Sequence, residues 1–569
     1  MEKLKRFFTD DRPLKTKVLI ALVASFGCCF TFFIFGPLDL AIYNDSLIPF
    51  DFADYLPIAL GVGLLFMAVL FAIFMFVKNR GFDILISLFV GILIAGYVQG
   101  TFLNGYLGEM TGDAVDWAAL QTQTIVNALV WIGLIAIPFL VLRFAKAAWS
   151  KLVVLVPVAL VAMQLVGLVS TVTVSGVMET HKLRQDEPAP GFLSTQGLFE
   201  LSSEDNIILL ILDRLDVDYT QEILAEDPDY FAPLDGFTYY TNNTSLYNQT
   251  YPSVAYMLTG EETDIRTPKK EYLTQAWENA TFIPTLQQNG YVARLYFDHS
   301  SVYTDIAQLE GIADNIAPGE KQIRFRAANS GMLKLSAYRY APYLLKPYFW
   351  SPADFSPTVG YVSDQVPYVI DDYGFSQALQ NSGITLQDRA NCLQYYHLSG
   401  GHGPFTMDEN GQLIEGANYI SHIKGCYTTI YEYIRQMKEL GIYEDATIII
   451  TGDHGALPDN AAPSSAVLPA LFVKPSGSSG TPLEVSHDAV SDSQLRASLL
   501  AYAGIDSSAE GETYEEAIAN HSNEVRHYIY LYDNLARRSN VCTFDIFGDA
   551  NDYENWKIAD QYEVEAQPW

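Results

Sequence analysis

The apolar positions of this chain change character near residue 175, and that change divides it. Before it, almost unbroken apolar runs cover Val18–Phe35, Leu56–Val77, Ile84–Phe102, Ile125–Leu142 and Leu152–Val174. Each is long enough to cross a hydrocarbon layer of about 30 Å. One such run could be a buried soluble helix, but five in succession read as a transmembrane bundle. After it, short β-rich runs alternate with helical patterns. Ile207–Leu212, Phe237–Thr241, Val292–Phe297, Leu393–Leu398, Ala446–Ile450 and Ala470–Val473 predict strands. Ser253–Leu258, Ile283–Asn289, Ile420–Leu440 and Asp492–Ala503 predict helices. This alternation favours an α/β fold with helices on both faces of a central mixed, mostly parallel sheet. The expected organisation is a five-helix transmembrane domain over 1–175, a linker over 176–204 and an α/β domain over 205–569.

Charge sets the orientation. Lys3, Lys5, Arg6, Arg12, Lys15 and Lys17 surround the start of the first run. Lys78 and Arg80 separate the second from the third, and Arg143, Lys146 and Lys151 the fourth from the fifth. The alternate loops carry Asp39, Asp45, Asp51 and Asp54, then Glu109, Asp113 and Asp116, with no Lys or Arg. The positive-inside rule therefore places the N-terminus in the cytoplasm and everything after Val174 outside, in a multi-pass plasma-membrane protein. Four further spans after the first argue against a cleaved signal peptide.

The net charge of −32, from 66 acidic against 34 basic residues, excludes the basic surface a nucleic-acid partner would need. Acidity keeps an exported domain soluble. It leaves phosphate substrates open, because a bound metal can supply local positive charge. Cys28 and Cys29 lie inside the first run, which leaves an odd external set of Cys392, Cys426 and Cys542. A Cys392–Cys426 bridge is conceivable.

Candidate chemistry gathers at the ends of the predicted strands. After Asn206, the run Ile207–Leu212 is apolar throughout and leads onto Asp213, a candidate metal ligand or a turn cap. Ala446–Ile450 leads through Thr451-Gly452 to Asp453-His454-Gly455, where the flanking glycines permit a sharp turn. A mixed oxygen and nitrogen donor set suits zinc or manganese better than calcium, with magnesium a further candidate. Thr250 precedes Pro252 at the start of a helix, where free N–H groups favour an anionic phosphate or sulfate. The run Tyr396–Phe405 carries two histidines. His402, in its glycine-rich part, could donate to a phosphoryl oxygen or protonate a leaving group, while His397 reads as structural or substrate-binding. His487, Arg266, Arg324 and Arg326 are weaker candidates for gripping a substrate, or surface charges. Met332–Trp350, rich in Tyr, Leu and cations, reads equally as a bilayer-interface segment or as a buried irregular one.

With these residues in place, the outer domain resembles the alkaline phosphatase and sulfatase superfamily over about Asn206 to Ile505. Five spans followed by such a domain resemble the lipoteichoic acid synthases and lipid A phosphoethanolamine transferases. The resemblance implies an alkaline-phosphatase-like outer domain, one divalent metal on Asp213, Thr250, Asp453 and His454, Thr250 as nucleophile and His402 near the substrate. Thr250 stands where sulfatases keep a modified cysteine, and Val254 where they keep an arginine, so sulfatase activity is disfavoured. Arg214 stands in place of a second Asp, which points to one metal. The expected function is a membrane-anchored phosphotransferase or phosphodiesterase acting on lipid or lipid-linked envelope phosphodiesters, such as phosphoglycerol or phosphoethanolamine transfer. The competing reading is a non-catalytic envelope sensor or lipid-binding regulator. A transporter is disfavoured because the spans carry little charge.

Overall fold

A computed structural model of the chain describes residues 12–44, 48, 50–105, 107, 115, 117–175, 191–297, 302–351, 358–456, 463–534 and 538–565. Lys3, Lys5, Arg6, Asp45, Glu109, Asp113, Asp116 and most of the expected linker lie outside the described residues. The chain forms two compact units. One holds Met1–Pro188 with Lys321–Gly360, and the other Ala189–Glu320 with Tyr361–Gln567.

The first unit is helical. Among the described residues, five helices are long and apolar enough to cross a membrane: Leu14–Tyr43, Phe52–Phe76, Asn79–Phe102, Gln121–Phe144 and Lys146–Ser175. Each covers all or nearly all of a run expected from sequence. Much of their surface is Leu, Ile, Val and Phe left exposed, including Leu64, Leu65, Ile125, Leu129, Val166 and Val169. That is the surface a helix presents to lipid, not to water. Polar side chains meet inside the bundle: Thr31 donates to Gln164 at 3.0 Å, and Trp149 to Ser87 at 2.9 Å.

The insert Lys321–Gly360 also belongs to this unit, although the sequence shows no break at either end of it. It contains a helix, Phe325–Tyr340, and a 3₁₀ turn, Tyr343–Tyr348, so the Met332–Trp350 segment is largely helical. The insert is seated by a defect in the first span. Phe30–Phe35 is π-helical, and Gly36 gives its N–H to Thr31. Pro37 has no N–H to give. The carbonyl of Phe32 is satisfied instead by the Ser336 hydroxyl at 2.8 Å. Beside it the Tyr340 ring fills a notch, where a Cβ on Gly100 would lie 2.5 Å from the ring.

The second unit is built on a seven-stranded sheet. Its strands are β1 (Asn206–Leu212), β2 (Thr238–Thr244), β3 (Tyr291–Tyr296), β4 (Asn391–Leu398), β5 (Thr447–Thr451), β6 (Leu471–Lys474) and β7 (Glu484–Ser491). Their order across the sheet is β7-β2-β6-β5-β1-β4-β3, and all run parallel except β6. The central strand β1 is buried along its whole length between two apolar layers, as its unbroken Ile and Leu run requires. Six of the seven strands are those expected. A second, antiparallel sheet follows, from β8 (Val525–Asn534), β9 (Arg538–Phe547) and β10 (Trp556–Glu565). All five cysteines are free, so Cys392 and Cys426 form no bridge: Cys426 donates to Asp372 instead.

Candidate active site

Three neighbouring parallel strands end level. In register, His397 of β4 and Thr451 of β5 both stand beside Ile211 of β1. The residues just beyond those ends therefore share one edge of the sheet, where ligands collect in open α/β folds. Asp213 follows β1, Asp453-His454 follows β5, and the loop of His402 follows β4. The backbone ties them, since Gly401 donates to the Asp213 carbonyl at 2.6 Å. Arg214, at φ 57°, turns its own N–H onto Asp453 Oδ1 at 3.2 Å. The glycine beside His454 answers a need for space. A Cβ on Gly455 would stand 2.6 Å from the Asp216 carboxylate and from the Leu468 nitrogen. That carboxylate accepts the Ala456 N–H at 2.9 Å, which pins the end of the loop.

Thr250 comes from the other side of the sheet centre, after β2, and its loop is fixed from two directions. Asn248 exchanges both amide hydrogen bonds with Leu531 of β8, at 2.9 and 2.8 Å. Asp492 accepts the Leu246 N–H at 3.0 Å. The helix Thr250–Thr259 is interrupted at Tyr251, which has extended backbone, so regular helix starts only at Pro252. Its last turn is capped by Arg496, which donates to the Tyr256 carbonyl at 2.8 Å and pairs with Glu510 at 2.9 Å.

These supports bring four side chains together. The Thr250 hydroxyl donates to Asp213 Oδ2 at 3.3 Å. His454 Nε2 lies 3.5 Å from Asp213 Oδ1 and 3.7 Å from Asp453 Oδ2. A ligand atom from each of Asp213, Asp453 and His454 falls within 4.8 Å of the others, and all three are buried. His397 joins them, with Nε2 3.7 Å from Asp453 Oδ2. It sits at the end of a strand buried on both faces, where a polar side chain reads as structural, and only the fold reveals its neighbour.

The cluster fits a divalent cation. Asp213 Oδ1 and Asp453 Oδ2 are buried oxygens that no hydrogen bond of ordinary geometry satisfies among the described residues. His454 Nδ1 lies 2.7 Å from the Gly455 carbonyl and must donate to it, so in the neutral ring Nε2 carries the lone pair toward the carboxylates. Two carboxylate oxygens and an imidazole lone pair within a few ångströms repel one another unless a positive charge lies between them. The titrations reflect this crowding. Burial, then the charge of Asp453, pushes the Asp213 carboxyl up to about 6. Burial also raises Asp453, but His454, His397 and the Thr250 hydroxyl outweigh it and hold that carboxyl well below its usual range.

The loop of His402 is held by a second buried cluster, Asp372, His422 and Cys426. Asp372 accepts the N–H groups of Ser399 at 2.7 Å and Gly400 at 2.8 Å, and also His422 Nε2 at 3.0 Å. His422 Nδ1 in turn accepts from Thr406 and Met407. These groups have spent their hydrogen-bonding capacity on the backbone at both ends of the loop, so the cluster is a clamp and not a metal site. His402 itself lies partly exposed within that loop, with Nδ1 2.7 Å from the Gly403 carbonyl.

The remaining sequence candidates are engaged elsewhere. His487 lies on edge strand β7, with Nδ1 2.7 Å from the Thr241 hydroxyl. Arg266 is a surface side chain over the Tyr562 ring, paired with Asp264 at 2.8 Å. Arg324 and Arg326 belong to the insert of the helical unit, at and just inside the start of its helix.

No protein-family model matches this sequence, and no curated protein matches it. Solved structures do. The phosphonate monoester hydrolase of Silicibacter pomeroyi is 14% identical, with a TM-score of 0.37, over 64% of this chain and 89% of that one. The lipoteichoic acid synthase LtaP of Listeria monocytogenes is 12% identical, with a TM-score of 0.35, over 63% and 87%. An alkaline phosphatase superfamily protein of Vibrio parahaemolyticus is 12% identical, with a TM-score of 0.34, over 67% and 87%. At such identities the chemistry rests on the geometry of the site.

Asp492 makes the support of Thr250 sensitive to pH. Burial pushes its carboxyl up to about 7. An unfolded Asp titrates near about 3.9, so the native state holds this proton more tightly between the two values. Its contribution to stability is fully present below the lower value and is lost as pH rises through about 7. Asp492→Asn keeps an acceptor for Leu246 and removes the titration. The stability of this variant is expected to vary less with pH than the parent's from about pH 4 to pH 7, as read by melting curves. Equal slopes would refute it.

Proposed function

We propose that the sheet unit is a metal-dependent phosphotransferase or phosphodiesterase of the sulfatase-like kind, working outside the plasma membrane on lipid or lipid-linked envelope phosphodiesters. The observation that carries this is the Thr250 hydroxyl, 3.3 Å from Asp213 within a buried set of unsatisfied carboxylate oxygens and a correctly oriented imidazole. Asp213, Thr250, Asp453 and His454 are the residues that would hold one divalent ion, manganese or zinc, with magnesium a further candidate. When bound, that ion supplies a Lewis acid that lowers the hydroxyl pKa and neutralises charge on phosphoryl oxygens. The chain's own residues supply position and proton handling. Thr250 Oγ attacks phosphorus, and its proton passes toward Asp213 Oδ2, which already accepts its hydrogen bond. His402 protonates the departing oxygen, which leaves Thr250 esterified to a phosphoryl group that still carries the substrate's other substituent. A sugar, a glycerol chain or water then takes the phosphoryl group. The rigid loops contribute by holding the attacking oxygen in place, the main requirement of phosphoryl transfer. Attachment to five spans keeps the unit beside a lipid donor and raises its effective concentration.

The test is full-length protein in nanodiscs, loaded with manganese or zinc and assayed on a chromogenic phosphodiester. Thr250→Ala is expected to lose about a thousandfold or more in turnover while still binding metal. Acid-quenched wild type incubated with candidate lipids is expected to carry a mass adduct on Thr250, and that mass names the group transferred. Absence of turnover and of adduct with every metal would overturn the proposal in favour of a non-catalytic envelope regulator.

A further inference from the structure

The insert Lys321–Gly360 interrupts the sequence of the sheet unit yet folds with the spans. Its attachment is specific. Tyr343 gives its N–H to Asn127 Oδ1 at 3.0 Å, and Asn127 donates to Gln99 at 2.7 Å. Gln99 donates to Asn104 at 2.7 Å, and Asn104 returns to the Arg339 carbonyl at 3.0 Å. This relay of three amides leaves the insert, crosses the fourth and third spans, and re-enters the insert four residues away. Each amide uses both its oxygen and its nitrogen, so the relay is closed and cooperative. Arg339 pairs with Asp39 at 2.6 Å, and the Tyr343 hydroxyl donates to the Leu103 carbonyl at 2.9 Å.

These contacts fix the depth of the insert. Asp39 lies where the first span ends, Leu103 just past the end of the third, and Asn127 near the start of the fourth. Alternating spans put those three points at one end of the bundle. The two loops joining spans at that end carry no Lys or Arg, whereas Lys78, Arg80, Arg143 and Lys146 lie at the other. The insert is therefore a collar at the outward end, level with the bilayer surface.

At that level the collar presents apolar side chains that cover nothing. Tyr348 is 79% exposed, Leu344 65%, Phe325 54% and Leu345 44%. The 3₁₀ turn carrying three of them is fastened to Asn127, which sits among the exposed Ile125, Val126 and Leu129 of the fourth span.

We propose that this collar is a bilayer anchor: Phe325, Leu344, Leu345 and Tyr348 enter the outer-leaflet interface, where Tyr and Leu are favoured together. The helical unit then meets the membrane through this insert as well as through its spans. The inference rests on the bundle spanning a membrane and not on the catalytic reading.

All native cysteines are buried, so a single introduced cysteine can be labelled selectively. Leu345→Cys and Tyr348→Cys, each carrying an environment-sensitive fluorophore, are compared in nanodiscs with Glu439→Cys on the sheet unit and Leu129→Cys on the fourth span. Lipids spin-labelled near the glycerol are expected to quench positions 345 and 348 several-fold more than position 439. Lipids labelled near the chain end are expected to favour position 129. Quenching at 345 and 348 no greater than at 439, with 129 still quenched, would overturn the anchor and leave the spanning bundle intact. Energy transfer between labelled copies without lipid quenching would overturn it too, in favour of a second copy of this chain. Loss of quenching at 129 would instead sink the spanning bundle and the anchor with it.

Discussion

Asp453→Ala is expected to abolish both metal binding and turnover, with a loss of about a thousandfold or more in activity. The reason is the double use of this carboxylate. Oδ1 accepts the N–H groups of Arg214 at 3.2 Å and His454 at 3.0 Å, which shapes the two loops that carry the other ligands. Oδ2 faces His397 and His454 across 3.7 Å. Alanine removes a proposed ligand and releases the loop geometry together, so excess metal is expected not to restore activity. Asp453→Asn separates the two roles. It can keep the Oδ1 contacts, and it is expected to remain folded while binding metal far more weakly. Calorimetric titration with manganese or zinc, alongside the phosphodiester assay, reads both. A folded Asp453→Ala protein with parental affinity for metal would refute the assignment of this cluster.

The second large effect lies away from the reacting atoms. Asp372→Ala is expected to destabilise the sheet unit by about 3–5 kcal/mol, the usual result of removing one partner from a buried charged network. It would leave the N–H groups of Ser399 and Gly400 and the ring of His422 without their common acceptor. Burial raises the Asp372 carboxyl, but His422 and the two backbone donors outweigh it, so its pKa lies below the ordinary range. For a depressed carboxylate the contribution is present at neutral pH and is lost as pH falls through the acid range. Thermal melts of parent and variant should therefore differ most near neutrality and converge in acid. Limited proteolysis is expected to cut first within 399–407. In the same variant turnover should fall further than metal affinity, because the loop that moves carries His402 and none of the three clustered ligands. Equal melts at pH 7 would remove the clamp from the account.

The divide between what sequence shows and what it hides follows from which forces are local. Ile207–Leu212 announces itself because a strand buried on both faces must be apolar along its run. Asp213 and Asp453-His454 are legible for the same reason, as polar residues interrupting such runs at their ends. β7 gave no such signal: it lies at the edge of the sheet, and six of its eight residues are exposed or half-exposed. The β8–β10 sheet is equally silent, since its strands mix charged and aromatic residues without a long apolar run. His397 looks like a strand residue until β5 brings Asp453 beside it. Asp372 and His422 are fifty residues apart and carry no motif, and their role exists only once a loop is folded between them. Arg324 and Arg326 illustrate the hardest case. Nothing in composition marks where an insertion leaves one folding unit for another, so their membership of the helical unit follows only from tertiary contacts.

That excursion of the chain has a bearing on how the protein can be shed. A protease acting between residues 176 and 190 would sever the only stretch that a linear reading treats as a tether. The fragment so produced would still carry Ser336, Arg339 and Tyr343, and with them its hold on the helices. Liberating a soluble form would take two further cuts, near Lys321 and near Gly360.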